Sequence, residues 1–239
     1  MHTKRKILSV VCVLVLGLAL TGCRLFTSTS AQKIQRPTVT SSEQQLQEPT
    51  AGDTIAVFET SAGTFRAKLF VEQAPQACEN FIELVQSGYY NGLTFSRVES
   101  GFIAQAGQDA DGGTATIWNN NGYPAEVSDE LHHYTGALCM ALNEQDKATS
   151  VFYVMQTLPD SVTDELVEQM NAQGWRSAVI EAYQAGGGAP YLDYTDTVFG
   201  QVYDGMDVVD VIAQTEANED GKPLADITIR SVSIETIAE

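Results

Sequence analysis

An apolar run at 55–58 lies between Thr54 and Glu59, and polar and apolar residues alternate over 64–69, with Ser61-Ala62-Gly63 between the two stretches. That pattern predicts a β-hairpin, because successive side chains on a strand point to opposite faces. The period then changes. Pro75 suits the first turn of a helix, Phe81, Leu84 and Val85 fall on one helical face, and Gly88 marks the stop. Short strand-like runs follow at 94–98, 102–105, 137–142 and 152–155, with Gly, Asn and Asp between them. Helices are predicted over 161–170, with Ser161 as the cap and an acidic first turn, and over about 175–185, ended by Gly186-Gly187-Gly188. A strand at 198–203 precedes a helix at 206–214, with Met206, Val209 and Ile212 or Ala213 on one side. In a last strand, 227–234, Ile227, Ile229 and Ser231 share one face and Val232 and Ile234 the other. Many short strands and few helices predict a mainly β domain, a closed antiparallel β-barrel without exposed edges.

The N-terminal region breaks this pattern. Lys4, Arg5 and Lys6 precede an apolar run over 7–20, shorter than the ~20 residues a spanning helix needs. It reads as a signal peptide. Its end, Leu20-Thr21-Gly22-Cys23, resembles the lipobox of bacterial lipoproteins. The resemblance implies a signal peptide at 1–22, lipid on Cys23, and a cell-membrane location on the extracytoplasmic face. Residues 23–53 are rich in Ser, Thr and Gln and lack the apolar content to offset chain entropy. They are expected to form a flexible tether to a domain at 54–239. Cys78 and Cys139 are then the remaining cysteines. Cys139 lies in an apolar run and predicts a buried thiol, and a Cys78–Cys139 disulfide stays open.

A net charge of −18 with no Lys/Arg cluster in the domain excludes nucleic acid as a partner. It predicts instead a solvated acidic surface and a monomer. Metal chemistry finds no support. His132 and His133 are adjacent and, on an extended segment, point apart. Asp109-Ala110-Asp111-Gly112 has a calcium-loop flavour, but Trp118 stands where the closing Glu belongs. The glycines at 186–188 lack the Lys-Ser/Thr of a phosphate loop. No metal and no cofactor is expected. What remains is a face: the strand period groups Ile103 with Gln105 and Val151 with Tyr153, and Arg97 stands on the preceding strand. Physics alone reads this as a peptide-binding groove.

The stretch 89–107, YYNGLTFSRVESGFIAQAG, resembles the signature of the cyclophilin-type peptidyl-prolyl cis–trans isomerases. GALCMA at 136–141, SVFYV at 150–154, YLD at 191–193, VFGQV at 198–202, GMDVV at 205–209 and ITI at 227–229 continue the likeness in order. Residues 157–190 are longer than the family's usual connection and read as a helical insertion, either bordering the groove or packed inertly against the domain. The resemblance implies an eight-stranded barrel with a helix closing each end. It implies an enzyme that turns X–Pro bonds in proline-containing peptides and folding proteins. Arg97 would be the catalytic donor and Gln105 its partner, bonding substrate backbone. Phe102, Ile103, Tyr153 and Leu192 would wall the proline socket, and Ala141 and Leu142 would face the residue before proline. Ser96, Glu99, Val151, Tyr153, Tyr191 and Asp196 depart from the family pattern and imply narrow activity. Tyr191 and Asp196 also argue against binding of the cyclosporin class, and Val151 and Asp196 keep a non-catalytic, chaperone-like peptide binder as the alternative.

Overall fold

The computed structural model describes residues 32–238. The expected signal peptide and Cys23 lie outside the described residues. Among the described residues there are eight strands: β1 (Thr54–Thr60), β2 (Thr64–Leu69), β3 (Arg97–Glu99), β4 (Ile103–Ala106), β5 (Ala137–Leu142), β6 (Ala148–Met155), β7 (Thr197–Asp204) and β8 (Ile229–Thr236). The helices are α1 (Pro75–Gln86), α2 (Asp164–Ala172), α3 (Ser177–Gly186) and α4 (Met206–Ala213). The strands form one sheet in the order β3-β4-β6-β5-β7-β2-β1-β8, every pair antiparallel.

The sheet curls into a half-barrel that stays open, which corrects the expectation of a closed barrel. β3 and β8 share no ladder, and their flanks meet at the isolated bridge Thr94↔Thr228. The physical reason is a loop in the seam. The Gly221 carbonyl accepts the Val98 N–H at 2.7 Å, on the edge of β3 where a closing strand would bond. A second correction concerns β8. Ile229 and Val232 pack into the same interior cluster, although the two-residue period puts them on opposite faces. Arg230 is an extra residue there: Glu59 pairs with Ser231 and Thr60 with Ile229, a bulge that resets the alternation.

The interior face carries the main core. Phe58, Phe65, Phe81, Phe152 and Phe199 are each fully buried, with ring centroids 4.4–5.9 Å apart in the contacting pairs. Each such side chain stabilises the fold by roughly 1.5–3 kcal/mol through burial. α1 packs against β6, β7 and β8, and α4 against β2, β3 and β4, so the two helices cover different parts of the curl. Cys78 belongs to this interior cluster and Cys139 to the outer-face cluster. Both are free and buried, so the sheet separates them and no disulfide forms.

The helical insertion exists, with shifted details. Thr163, not Ser161, caps α2, accepting the Leu166 N–H at 3.3 Å. The Ser161 hydroxyl instead bonds the backbone N–H and carbonyl of Gly188 at 3.0 and 3.1 Å, pinning the base of the hairpin. From residue 32 the expected tether lies packed on the domain. Gln45 is 1 % exposed and bonds both backbone groups of His132 and the Gln201 side chain. Glu43 holds Arg176 of the insertion with two bonds of 2.7 and 2.8 Å. Composition does not reveal such docking, because a few polar side chains carry it and no apolar stripe does.

Candidate active site

Register assembles the site. Arg97 pairs with Gln105, Gln105 with Tyr153, Tyr153 with Cys139, and Cys139 with Val198. Directly paired residues share a face, so these five side chains form one row across β3, β4, β6, β5 and β7 on the outer face. The next row holds Glu99, Ile103 and Met155. Ile103, Tyr153, Met155, Cys139 and Val198 form a cluster of their own, against which half-buried Phe102, Ala141 and Leu192 pack. The outcome is an apolar floor with an amide and a guanidinium at one end.

Leu142 does not join it. It packs against the interior cluster, while Ala141 packs outside. Neighbouring residues on β5 point to opposite faces, so the pair cannot both serve one groove. Two cavities of about 820 and about 290 Å³ lie elsewhere and are lined by none of the expected site residues. The floor itself is enclosed: Ile103, Tyr153, Met155, Cys139 and Val198 are buried, and Phe102, Ala141 and Leu192 are half-buried.

Two neighbours orient Arg97. Its guanidinium donates to the Glu99 carboxylate at 2.6 Å. The side chains are 39 % and 52 % exposed, so water screens the pair. Glu99 lies opposite Ile103, and the bond ties the guanidinium down along its own strand. The second neighbour is Gly221. A Cβ there would stand 3.0 Å from Arg97 Cγ, and its φ of +81° suits glycine. Gly221 thus lets the seam loop lie against the arginine stem.

Beneath the floor lies a buried polar network. The Tyr153 hydroxyl donates to Asp196 at 2.7 Å, and His133 Nε2 bonds the other oxygen of Asp196 at 2.6 Å. His133 Nδ1 faces Asp193 at 2.9 Å, which also bonds His132 Nδ1 at 2.7 Å and accepts from the Tyr183 hydroxyl at 2.8 Å. Burial works against a charged His133. Cys139 and the bonds to Asp193 and Asp196 outweigh it, and the imidazole is held well above its ordinary range. Burial likewise raises Asp193, but its bonds to His132 and His133 reverse the sign and hold it low. The two histidines therefore act together on one carboxylate, although they are a poor metal pair. Burial, followed by Cys139 and Asp196, pushes the Tyr153 hydroxyl far up, so it stays a donor.

The sequence reading missed His133, Asp193 and Gly221. The only local signals were the His-His pair and the Asp220-Gly221 turn, and neither indicates a partner distant in sequence.

Residues 55–234 match the model of the family "Cyclophilin type peptidyl-prolyl cis-trans isomerase/CLD". A Staphylococcus saprophyticus protein that carries the name of a peptidyl-prolyl cis–trans isomerase is 36 % identical over 180 residues, 74 % of this chain and 90 % of the relative. A Staphylococcus aureus protein of the same name is 34 % identical over 185 residues, 77 % of this chain and 93 % of the relative. Among solved structures, a Cryptosporidium parvum cyclophilin type isomerase, determined in the presence of the dipeptide Ala-Pro, superposes with a TM-score of 0.60. It is 23 % identical, over 77 % of this chain and 99 % of that one, a likeness of fold.

The buried network makes stability depend on pH. His133 has a folded pKa above its unfolded value of about 6.5. Its contribution is complete below about pH 6.5 and is lost as pH rises toward the folded pKa. Asp193 is depressed, so its contribution is present above about pH 3.9 and lost on acidification. The urea midpoint is expected to fall between about pH 6.5 and 9, and His133→Gln to flatten that slope. A wild-type midpoint constant over this range would remove the charged bridge.

Proposed function

The chain belongs to the cyclophilin-type peptidyl-prolyl cis–trans isomerases, and from that premise we propose how its own residues turn an X–Pro bond and where they do so. The reaction makes and breaks no covalent bond. Its barrier of about 18–20 kcal/mol is lost amide resonance, and unaided rotation takes roughly tens to hundreds of seconds. A catalyst has to hold the proline ring and favour the twisted amide, whose nitrogen lone pair has become localised.

The row Arg97–Gln105–Tyr153 beside an apolar floor carries the assignment. The proline ring rests against Phe102, Ile103, Tyr153 and Leu192. Gln105, half-buried between Arg97 and Tyr153, bonds substrate backbone. Arg97 donates to the prolyl nitrogen as its lone pair appears. That bond is strongest in the twisted state, so it lowers the barrier instead of merely tightening binding. Ala141 borders the residue before proline. Leu142 has no side-chain part in this site.

The substrates in this reading are proline-containing segments of proteins folding outside the cytoplasmic membrane. The enzyme acts as a monomer held to the membrane by lipid on Cys23. The basic residues 4–6, the apolar run 7–20 and the Leu-Thr-Gly-Cys ending support the anchor. One contact favours the second reading, a peptide binder without useful catalysis: Glu99 engages the Arg97 donor that the reaction needs.

Arg97→Ala is expected to lower turnover of an Ala-Pro peptide on the order of 10²-fold in a protease-coupled assay, as removal of a single transition-state donor does. An unchanged rate would remove Arg97 from the mechanism. Glu99→Gln is expected to raise turnover roughly 2- to 5-fold, the equivalent of the up to ~1 kcal/mol an exposed ion pair is worth. Wild type that binds the peptide without accelerating it, with Glu99→Gln equally inert, would establish the binder. Cys23→Ser is expected to move the protein from the membrane to the soluble fraction on cell fractionation; retention on the membrane would sink the lipid anchor.

A further inference from the structure

Residues 32–53 lie outside the stretch that matches the family model, yet they reach the wall of the socket through a continuous chain of bonds. Arg36 grips Asp210 on α4 with a two-pronged contact, Nε to Oδ2 at 3.0 Å and Nη2 to Oδ1. Its Nη1 donates to the Thr157 carbonyl at 3.0 Å. Asp210 is 4 % exposed, and its Oδ1 also accepts from Gln156 Nε2 at 2.7 Å. Gln156 is fully buried, and its Oε1 accepts the Gly101 N–H at 2.7 Å. The Gln156 N–H donates to the Phe102 carbonyl at 2.6 Å. Two residues, Asp210 and Gln156, thus separate an arginine on the N-terminal segment from the aromatic wall of the site.

We infer that residues 32–53 form a strap whose Arg36 is a positioning residue for the proline socket, acting through Asp210 and Gln156 on Gly101 and Phe102. Directionality follows from the donor inventory. A carboxylate only accepts, so Asp210 obliges Gln156 to present its NH₂ inward and its carbonyl to Gly101. Arg36 neutralises a carboxylate that would otherwise be buried with an amide alone. Withdrawing it leaves an uncompensated charge whose relief is to draw in water or turn the Gln156 amide, and either frees Gly101. Gly101 has φ +82° at the turn between β3 and β4, so its conformation directs the chain entering Phe102 and Ile103. A looser wall weakens ground state and transition state alike, which raises KM and spares kcat. Lysine at position 36 would keep the charge but lose the fork.

This inference rests on the isomerase reading for its kinetic arm, and amide exchange tests it independently. In the full chain, Arg36→Ala is expected to raise KM for an Ala-Pro peptide within the roughly 2- to 30-fold range of remote couplings, with kcat kept. Arg36→Lys should fall between. Exchange at the Gly101 amide should accelerate in both variants, while the β5 amides stay protected. An Arg36→Ala chain with unchanged KM and unchanged Gly101 exchange would overturn the relay. Uniform acceleration at every amide would also overturn it, by making Arg36 a general stabiliser. Should Arg36→Ala not fold, the Arg36→Lys values alone decide on the same terms. Should wild type fail to isomerise, the isomerase reading falls, and the exchange pattern still decides the relay.

Discussion

The two-residue alternation of β-strands is the constraint on which this molecule rests. One sheet serves two purposes because its faces are chemically distinct. Phe58, Phe65, Phe152 and Phe199 point to the interior core, and Arg97, Gln105, Ile103 and Tyr153 point outward from the same sheet. The core can therefore be closely packed while the opposite face carries a separate set of apolar and polar side chains. Register then does the rest. Pairing Arg97 with Gln105 and Gln105 with Tyr153 places a donor, an amide and an aromatic ring side by side without any loop having to be ordered around them.

The apolar floor is also held from behind. Tyr153 is a floor residue with a hydroxyl, and an unpartnered buried hydroxyl would cost roughly 1–3 kcal/mol. Asp196 accepts it, and His133 and Asp193 extend the support to Tyr183 on α3. The insertion therefore does more than sit beside the groove: one of its tyrosines belongs to the scaffold under it. Asp193 lies next to the floor residue Leu192, so the same short segment supplies a contact above and an anchor below.

Much of this was legible in the sequence, for identifiable reasons. The strand period put Ile103 with Gln105 and Val151 with Tyr153, and a period survives translation into structure; the role of Arg97 entered through the family likeness. Pro75 and Gly88 bracketed α1 because proline and glycine act through backbone geometry alone. Other features were hidden because they depend on partners distant along the chain. Nothing local to Ile229 and Val232 betrays the bulge that puts them on one face. Leu142 looked like a neighbour of Ala141 in function because the likeness to relatives does not state which way each side chain points. Residues 32–53 read as tether because their docking uses Arg36, Glu43 and Gln45, single polar residues whose partners Asp210, Arg176 and His132 are scattered over the chain.

The seam loop bears on how such an enzyme lets go. Extended chains are rich in unpaired amide groups, and a bare sheet edge captures such chains by adding them as another strand. Here the Val98 N–H is already committed to Gly221, and Ile229 exchanges bonds with Gly92 and Leu93. At these positions a visiting polypeptide finds backbone groups already paired. Paired edge groups of this kind make the seam a poorer template for strand addition than a bare edge would be.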